Sequence, residues 1–289
     1  MSGRAAALAA FLGRHDRVVL AALAEVRGSS PREAGAFMLV APDAAFGTIG
    51  GGQLEYIAMD RARQMLRDGI AADRLDVPLG PEIGQCCGGR VAVGLTAVDA
   101  ATAARLRNAA EAEDAALPSV FVFGAGHVGR ALARALALLP VRTTVVDTRP
   151  GELQGLPESV AARAVALPEA VVRTAPPGSA FVVLTHDHAL DFLVAAEALG
   201  REDAAYVGMV GSRTKRAKFA SWFRAEGGAP AALARLVCPI GSQGIGDKRP
   251  EVIAALAAAE IMVHIAGREA RSLRARPVTK GRLGAVDGR

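Results

Sequence analysis

A glycine-rich turn, Gly124-Ala125-Gly126-His127-Val128-Gly129, lies between an apolar strand and a helix. Its first glycine allows a tight turn, its second lets a phosphate approach the backbone, and its third allows the helix to pack closely on the strand. Asp147 ends the next strand eighteen residues after Gly129, where it could meet a ribose hydroxyl. This context predicts a Rossmann-type fold, but a glycine turn kept only for packing remains the alternative to a ligand site.

Two adjacent cysteines stand in the compact loop Gly84-Gln85-Cys86-Cys87-Gly88-Gly89. Adjacent side chains of an extended segment point in opposite directions, so one thiol can face a cleft while the other packs inward. The glycines let a ligand approach, and their amides can hold an anion or lower a thiol pKa. Because Cys-x-x-Cys spacing is missing, a structural zinc site is not expected. Two buried free cysteines are the alternative.

Two earlier segments have the pattern of backbone nests that hold anions: Gly28-Ser29-Ser30-Pro31-Arg32 and Gly50-Gly51-Gly52-Gln53-Leu54-Glu55. Arg32 is suited to fork onto a phosphate or a carboxylate. The alternatives are plain turns, a solvated Arg32 and a Glu55 that only complements the helix dipole.

Two loops follow later strands. Thr185-His186-Asp187-His188 comes after an apolar strand, at the end where ligands of open α/β sheets bind. Without a third fixed ligand, these side chains are expected to line the cleft and not to bind a metal. Gly208-Met209-Val210-Gly211-Ser212-Arg213 forms another strand-to-helix turn that could grip an anion, and Lys215, Arg216 and Lys218 follow it as a basic face.

The elements that position these residues predict an α/β protein with a C-terminal Rossmann-type doubly wound parallel sheet and a smaller N-terminal α+β domain. We assign the N-terminal domain to residues 1–99, an alanine-rich helix or linker to 100–117, the Rossmann-type domain to 118–267 and a basic, disordered tail to 268–289.

Composition narrows the classes of function. The net charge of the 289 residues is +5, and residues 268–289 hold seven basic and two acidic side chains, so the remainder is formally neutral. A nucleic-acid-binding face is therefore not expected. The chain lacks an uncharged apolar run of eighteen residues and a secretory pattern, which predicts a cytoplasmic protein with no membrane contact. Its three cysteines are expected to stay reduced.

In their order along the chain, these motifs resemble the xanthine dehydrogenase accessory proteins of the XdhC/CoxI type. The resemblance rests on residues 27–32, 47–55 and 79–89 of the first domain, and on residues 124–129, 185–188, 208–213 and 239–241 of the second. CoxI-type proteins usually have a cysteine where Gln53 stands and a single cysteine in the later loop, so Cys86-Cys87 indicates the XdhC branch. Residues 241–248 depart from the usual continuation of the family.

The resemblance implies an accessory protein, not an enzyme, that binds and protects molybdenum cofactor (molybdopterin). A cysteine desulfurase would sulfurate the bound cofactor, and the chain would insert it into the molybdenum subunit of apo-xanthine dehydrogenase. The expected cofactor-binding residues are Ser30, Arg32, Gln53, Glu55, Gln85, Cys86, Cys87, Gly88, Gly89, Gly124, Gly126, His127, Gly129, Asp147, His186, Ser212 and Arg213. Cys86 and Cys87 are the candidate contacts of the molybdenum end.

We also expect a homodimer with no tightly bound NAD. Two rival functions stay open from the sequence: an NAD(P)-dependent oxidoreductase that uses the glycine turn, and an assembly scaffold that binds no cofactor.

Overall fold

The computed structural model describes residues 3–81, 88–241 and 246–275. Three predicted site residues, Gln85, Cys86 and Cys87, lie outside the described residues. The chain divides into two compact units, Met1–Ala116 and Leu117–Arg289.

The first unit is built on a five-stranded antiparallel sheet. Its elements are α1 (Arg4–Arg14), β1 (Val19–Arg27), β2 (Phe37–Val40), β3 (Ala45–Gly47), α2 (Gly52–Asp68), β4 (Ala72–Pro78), β5 (Arg90–Ala97) and α3 (Ala100–Ala116). The strand order is β3-β2-β1-β5-β4. Helix α2 packs its apolar face on one side of the sheet, while α1 covers the other side. Both faces are therefore buried, which explains why β1 reads as a nearly continuous apolar run.

The segment 100–117, predicted as a helix or linker between the domains, contains the helix α3 of the first unit. The Asp99 carboxylate accepts a hydrogen bond from the amide of Thr102 at 2.7 Å, which caps the first turn. α3 packs along α1, and the amide of Ala5 donates to the Asp114 carboxylate at 3.0 Å. Alanine has the highest helix propensity, so this composition favours a packed helix over an open linker.

The second unit contains a six-stranded parallel sheet in the order β11-β10-β9-β6-β7-β8. Its elements are β6 (Ser119–Phe123), α4 (His127–Leu136), β7 (Arg142–Asp147), a 3₁₀ turn (Pro150–Leu153), β8 (Ala161–Ala164), α5 (Pro168–Thr174), β9 (Ala180–Val183), α6 (His188–Gly200), β10 (Tyr206–Met209), α7 (Arg213–Ala225), α8 (Pro230–Ala234), β11 (Leu236–Val237) and α9 (Pro250–Ala275).

Helices cover both faces of this sheet. Val120 and Val122 of β6 pack in the core formed with α4 and α9, while Phe121 and Phe123 pack in the core formed with α5 to α8. The predicted fold class, a doubly wound parallel sheet beside a smaller α+β unit, is confirmed.

Helix α9 corrects the predicted start of the tail, because residues 268–275 continue this helix. Within the described part of the chain, Pro250–Arg268 is the one stretch that is long and apolar enough, by length and composition, to cross a membrane. It packs Ala257 and Ile261 fully buried against the sheet and α4. An apolar composition is what such a core helix requires.

Candidate functional site

In the first unit, three glycine-containing segments meet at one end of the antiparallel sheet. Arg27 at the end of β1 pairs with Arg90 at the start of β5, and Ser29 forms a bridge with Gly88. The amide of Gly88 donates to the carbonyl of Leu79 at 2.8 Å, which brings the chain after β4 to the same place. We call residues 27–32, 47–53 and 88–89 the first-unit cluster.

The cluster holds its segments in close backbone contact. A Cβ atom at Gly89 would lie 2.1 Å from the carbonyl oxygen of Ser29, so only glycine fits there. A Cβ atom at Gly50 would lie 2.8 Å from Cγ of Pro31. Packing therefore accounts for these two glycines, and the segments predicted to share a ligand are adjacent.

Glu55 lies in the first turn of α2 and turns its carboxylate into the preceding loop. Its Oε1 accepts hydrogen bonds from Thr48 Oγ1 at 2.5 Å and from the amides of Ile49 and Gly51 at 3.0 and 2.9 Å. Partial burial raises the pKa of Glu55, but these hydrogen bonds outweigh it and leave the pKa below its ordinary value. The nest predicted to take an external anion thus holds the carboxylate of the chain itself.

Three predicted residues of the cluster keep their side chains accessible. Arg32 and Gln53 are exposed and Ser30 is half-buried, with Ser30 Oγ accepting from the amide of Arg32 at 3.5 Å. Within the described residues, the Arg32 guanidinium makes neither a hydrogen bond nor an ion pair. It is thus an available cation at this end of the sheet.

In the second unit, the glycine turn lies where the strand order reverses, between β6 and β9. Ligands of open α/β sheets bind at this point, outside the carboxyl ends of the strands. Gly124 has a φ of 111° and approaches the end of β9 so closely that its Cβ atom would lie 2.3 Å from the Leu184 carbonyl oxygen. The turn and the loop that begins at Thr185 are thus in contact.

The three glycines of the turn have different environments. A Cβ atom at Gly129 would lie 2.0 Å from the Gly124 carbonyl oxygen, so the first and third glycines are required by packing. A Cβ atom at Gly126 would have no neighbour within 4 Å, and the adjacent His127 is exposed. The second glycine is therefore the one that leaves the backbone open to a ligand.

Asp147 is buried at the end of β7, and both carboxylate oxygens are occupied. Oδ2 accepts from the amide of Ala125 at 2.8 Å and from Arg149 Nη2 at 3.2 Å. Oδ1 accepts from the amide and Nε of Arg149 at 3.0 and 3.1 Å. Burial raises the pKa of Asp147, but these bonds outweigh it and lower the pKa overall. The carboxylate braces the glycine turn, which leaves it poorly placed to receive a ribose hydroxyl.

The loop after β9 is polar and exposed. Asp187 caps α6 by accepting from the amides of Ala189 and Leu190 at 2.7 and 3.4 Å. His186 and His188 are both exposed. Among the described residues, no group of three or more histidine, cysteine or acidic side chains could hold a metal ion.

The turn after β10 corrects the predicted basic face. Ser212 Oγ caps α7 by accepting from the amide of Lys215 at 3.2 Å, and Arg213 is exposed. The Lys215 ammonium, however, forms an ion pair with the fully buried Asp191. Arg216 Nη1 donates to the Leu236 carbonyl at 2.6 Å. Two of the three basic side chains therefore serve packing and hydrogen bonding inside the unit.

The sequence interpretation missed Asp191. Its signal was a single acidic residue in the first turn of a mostly apolar helix that follows a strand. Cys238, the third thiol, is buried in the core, and burial raises its pKa. A buried thiol of raised pKa is chemically inert.

Two family models match this chain. One, described as the XdhC Rossmann domain, matches residues 120–261, and one described as the XdhC and CoxI family matches residues 11–77. Together they cover more than two thirds of the chain. The chain belongs to the XdhC and CoxI family. The region that matches the Rossmann-domain model, residues 120–261, contains the predicted glycine turn and the carboxyl edge of the parallel sheet.

The relatives of this XdhC-family chain agree with its fold. The uncharacterised protein YqeB of Escherichia coli (strain K12) is 27% identical over 253 residues. The match includes 84% of this chain but 42% of YqeB, so the chain spans less than half the length of that relative. A crystal structure of a protein described as a xanthine dehydrogenase from Bacillus halodurans superposes with a TM-score of 0.75. It covers 92% of this chain and 97% of that one at 18% identity, which supports the fold alone.

The glycine turn of this XdhC-family chain generates a prediction. Gly129→Ala should destabilise the second unit by about 3 kcal/mol or more, at the upper end for overpacking, because the new Cβ meets a backbone oxygen. The ordinary gain from alanine in a helix, about 1 kcal/mol, is too small to compensate. Gly126→Ala is the matched control and should cost less than about 1 kcal/mol.

Trp222, the single tryptophan, packs on Phe219 in the second unit, so its fluorescence reports unfolding of that unit. Equal losses of stability in the two variants would show that the environments of the two glycines do not differ as described.

A second prediction concerns acid stability in the first unit. The folded-state pKa of Glu55 is lowered, so its contribution is present above its unfolded pKa of about 4.3 and is lost as the pH falls through the folded value. Glu55→Gln should therefore lower the free energy of unfolding by about 1 kcal/mol at pH 7. The difference from the parent protein should vanish at acidic pH.

Hydrogen exchange of α2 amides measures this effect within the first unit. Glu33→Gln is the control, since Glu33 is exposed and its side chain has no described partner. A pH-independent loss in the Glu55 variant would contradict the assigned role of the carboxylate.

Proposed function

We propose that this chain binds and protects molybdenum cofactor, supports sulfuration of the cofactor by a cysteine desulfurase, and inserts it into apo-xanthine dehydrogenase. Membership of the XdhC and CoxI family supports a role in xanthine dehydrogenase maturation. The proposal assigns no catalytic residue to the chain. It keeps the expected homodimer and a cytoplasmic location, where thiols stay reduced.

The observation that carries the proposal is the use of the acidic groups at the carboxyl edge of the parallel sheet. Asp147 braces the glycine turn, Asp187 caps α6, and Asp191 pairs with Lys215. Asp187 and Ser212 already cap α6 and α7, whereas α4 begins at this edge with no side-chain cap, and a helix N-terminus favours an anion. Arg213 adds an exposed cation. Because the Asp147 carboxylate is occupied inside the unit, the N-terminus of α4 suits a phosphate better than the edge suits a ribose hydroxyl.

The cargo has the matching chemistry. Molybdopterin has a phosphate, a ring edge rich in hydrogen-bond donors and acceptors, and a dithiolene end that holds molybdenum. In the second unit, the open backbone at Gly126 and the exposed His127, His186 and Arg213 are the proposed phosphate contacts.

In the first unit, Arg32 and Gln53 are proposed to hold polar groups of the cargo. Cys86 and Cys87 directly precede Gly88 of the first-unit cluster in the sequence. A thiolate is a soft metal ligand and a sulfur nucleophile, so this pair is proposed to act on the molybdenum end or in sulfur handling.

The rival oxidoreductase function is less well supported. Its ribose contact would be Asp147, whose two oxygens already accept four hydrogen bonds from Ala125 and Arg149. A tightly bound NAD is therefore not part of the proposal.

The decisive experiment measures which ligand the purified full chain retains. We expect the chain to retain molybdopterin through gel filtration, detected by pterin fluorescence after release and oxidation, and to show no saturable binding of NAD⁺ or NADPH in equilibrium titrations. Micromolar binding of a nicotinamide nucleotide without pterin retention would reject the proposal in favour of an oxidoreductase. Capture of desulfurase and dehydrogenase without pterin retention would reject it in favour of a scaffold.

The cysteines provide a variant test. Cys86→Ala or Cys87→Ala should weaken retention about tenfold, equivalent to about 1.4 kcal/mol, because a ligand contact is lost. Cys238→Ala is the control, since Cys238 packs in the core of the second unit and should leave retention unchanged. Hydrogen exchange of α2 amides checks that the Cys86 and Cys87 variants fold, and thermal unfolding monitored by Trp222 fluorescence checks Cys238→Ala. Equal retention by the three variants would contradict a thiol site.

A further inference from the structure

A buried ion pair joins the two ligand-facing loops after β9 and β10. Asp191 of α6 is fully buried, and its Oδ1 accepts from the amide and hydroxyl of Thr185 at 2.8 and 2.7 Å. Its Oδ2 accepts from the ammonium of Lys215 in α7. The carboxylate thus connects the start of one loop with the helix that follows the other.

Lys215 reaches Asp191 by passing across the second loop. Its Nζ also donates to the Val210 carbonyl at 3.0 Å. A Cβ atom at Gly211 would lie 2.7 Å from Cδ of Lys215, so the lysine stem occupies the space that a side chain at Gly211 would need. Glycine at position 211 therefore leaves room for the side chain of Lys215.

Strands β9 and β10 place the two loops side by side, but their pairing ends where the loops begin. Val183 of β9 pairs with Met209 of β10, and the amide of Val210 donates to the Val183 carbonyl at 2.8 Å. Beyond that bond, the connection continues through Asp191 and Lys215 to Thr185 and Val210.

We propose that Asp191 and Lys215 are a positioning pair that holds residues 185–188 and 210–213 in the relative placement that ligand binding requires. The ligand part of this inference rests on the proposed cofactor-binding function. Neither residue needs to contact the cargo. Stability alone is a poor reason for such a pair, because desolvation of two charges offsets most of their attraction.

The cost of removing one partner, compared with the cost of removing both, distinguishes a positioning role from a stabilising role. Removal of one partner leaves a buried charge uncompensated, whereas removal of both is often nearly neutral. We therefore compare Asp191→Asn, Lys215→Met and the double variant. Asparagine can still accept hydrogen bonds from Thr185, so the comparison isolates the ion pair.

The first measurement is thermal unfolding followed by Trp222 fluorescence. Each single variant should lower the midpoint by about 10 °C, and the double variant by less than half as much. Additive losses in the double variant would show that the two residues do not act as a pair, and would overturn the proposal.

The second measurement is specific to positioning. In the folded double variant, exchange of the hydrogen-bonded amides of Val210 and Arg216 should accelerate about tenfold, and retention of molybdopterin should fall by a similar factor. Parent-like exchange and retention in the double variant would overturn the positioning role. Where the parent protein itself retains no molybdopterin, the proposed function fails, and coupling and exchange still decide the role of the pair.

The chain offers a matched control on the same helix α6. Arg173 and Glu197 form an exposed ion pair with two hydrogen bonds of 2.9 and 3.1 Å that joins α5 to α6. The double variant Arg173→Met, Glu197→Gln should leave exchange of the Val210 and Arg216 amides and molybdopterin retention unchanged, since exposed pairs contribute little. A loss of retention in this control equal to that of the Asp191 and Lys215 double variant would overturn the inference.

Discussion

The backbone contact between the glycine turn and the end of β9 is the constraint on which the edge of the parallel sheet depends. Gly124 approaches the Leu184 carbonyl, and Gly129 closes on Gly124 from the side of α4, at distances that exclude any side chain. Close-packed backbone of this kind has one arrangement. The backbone at the strand reversal is thus held in place by packing alone, which would reduce the ordering cost of the proposed binding.

In both units, carboxylates of the chain itself accept hydrogen bonds from the donors of the glycine-containing loops. Asp147 braces the glycine turn by accepting from Ala125, and Glu55 closes the loop before α2 by accepting from Thr48 and two amides. Each acid neutralises donors that would otherwise attract an anion at that spot. Fewer donors are therefore accessible to a ligand than the glycine motifs suggest. In the predicted site of the second unit, the side chain of Arg213 is exposed.

The sequence predicted the parts of the fold that depend on local pattern. Uninterrupted apolar strands, a glycine turn between strand and helix, and Asp147 at a strand end were sufficient for the doubly wound sheet, because burial on both faces leaves a direct trace in residue type. The sequence does not show which partner a charged side chain binds. Lys215 has the same sequence appearance whether it is solvated or folded back across Gly211 to Asp191. Residues 100–117 were assigned as a helix or linker because an alanine-rich composition favours a helix but does not show what that helix packs against.

Interaction free energies indicate which groups can hold the proposed cargo. A charge-assisted hydrogen bond contributes about 1.5–3 kcal/mol, whereas micromolar retention needs about 8 kcal/mol. The predicted motifs offer one exposed arginine without a described partner in each unit, Arg32 and Arg213, so such contacts alone fall short within either unit. A thiolate that binds a metal adds a further contact, and this contact is weakened by protonation or exchange. For this reason the proposal gives the Cys86-Cys87 pair a part in retention and release beside the charged groups.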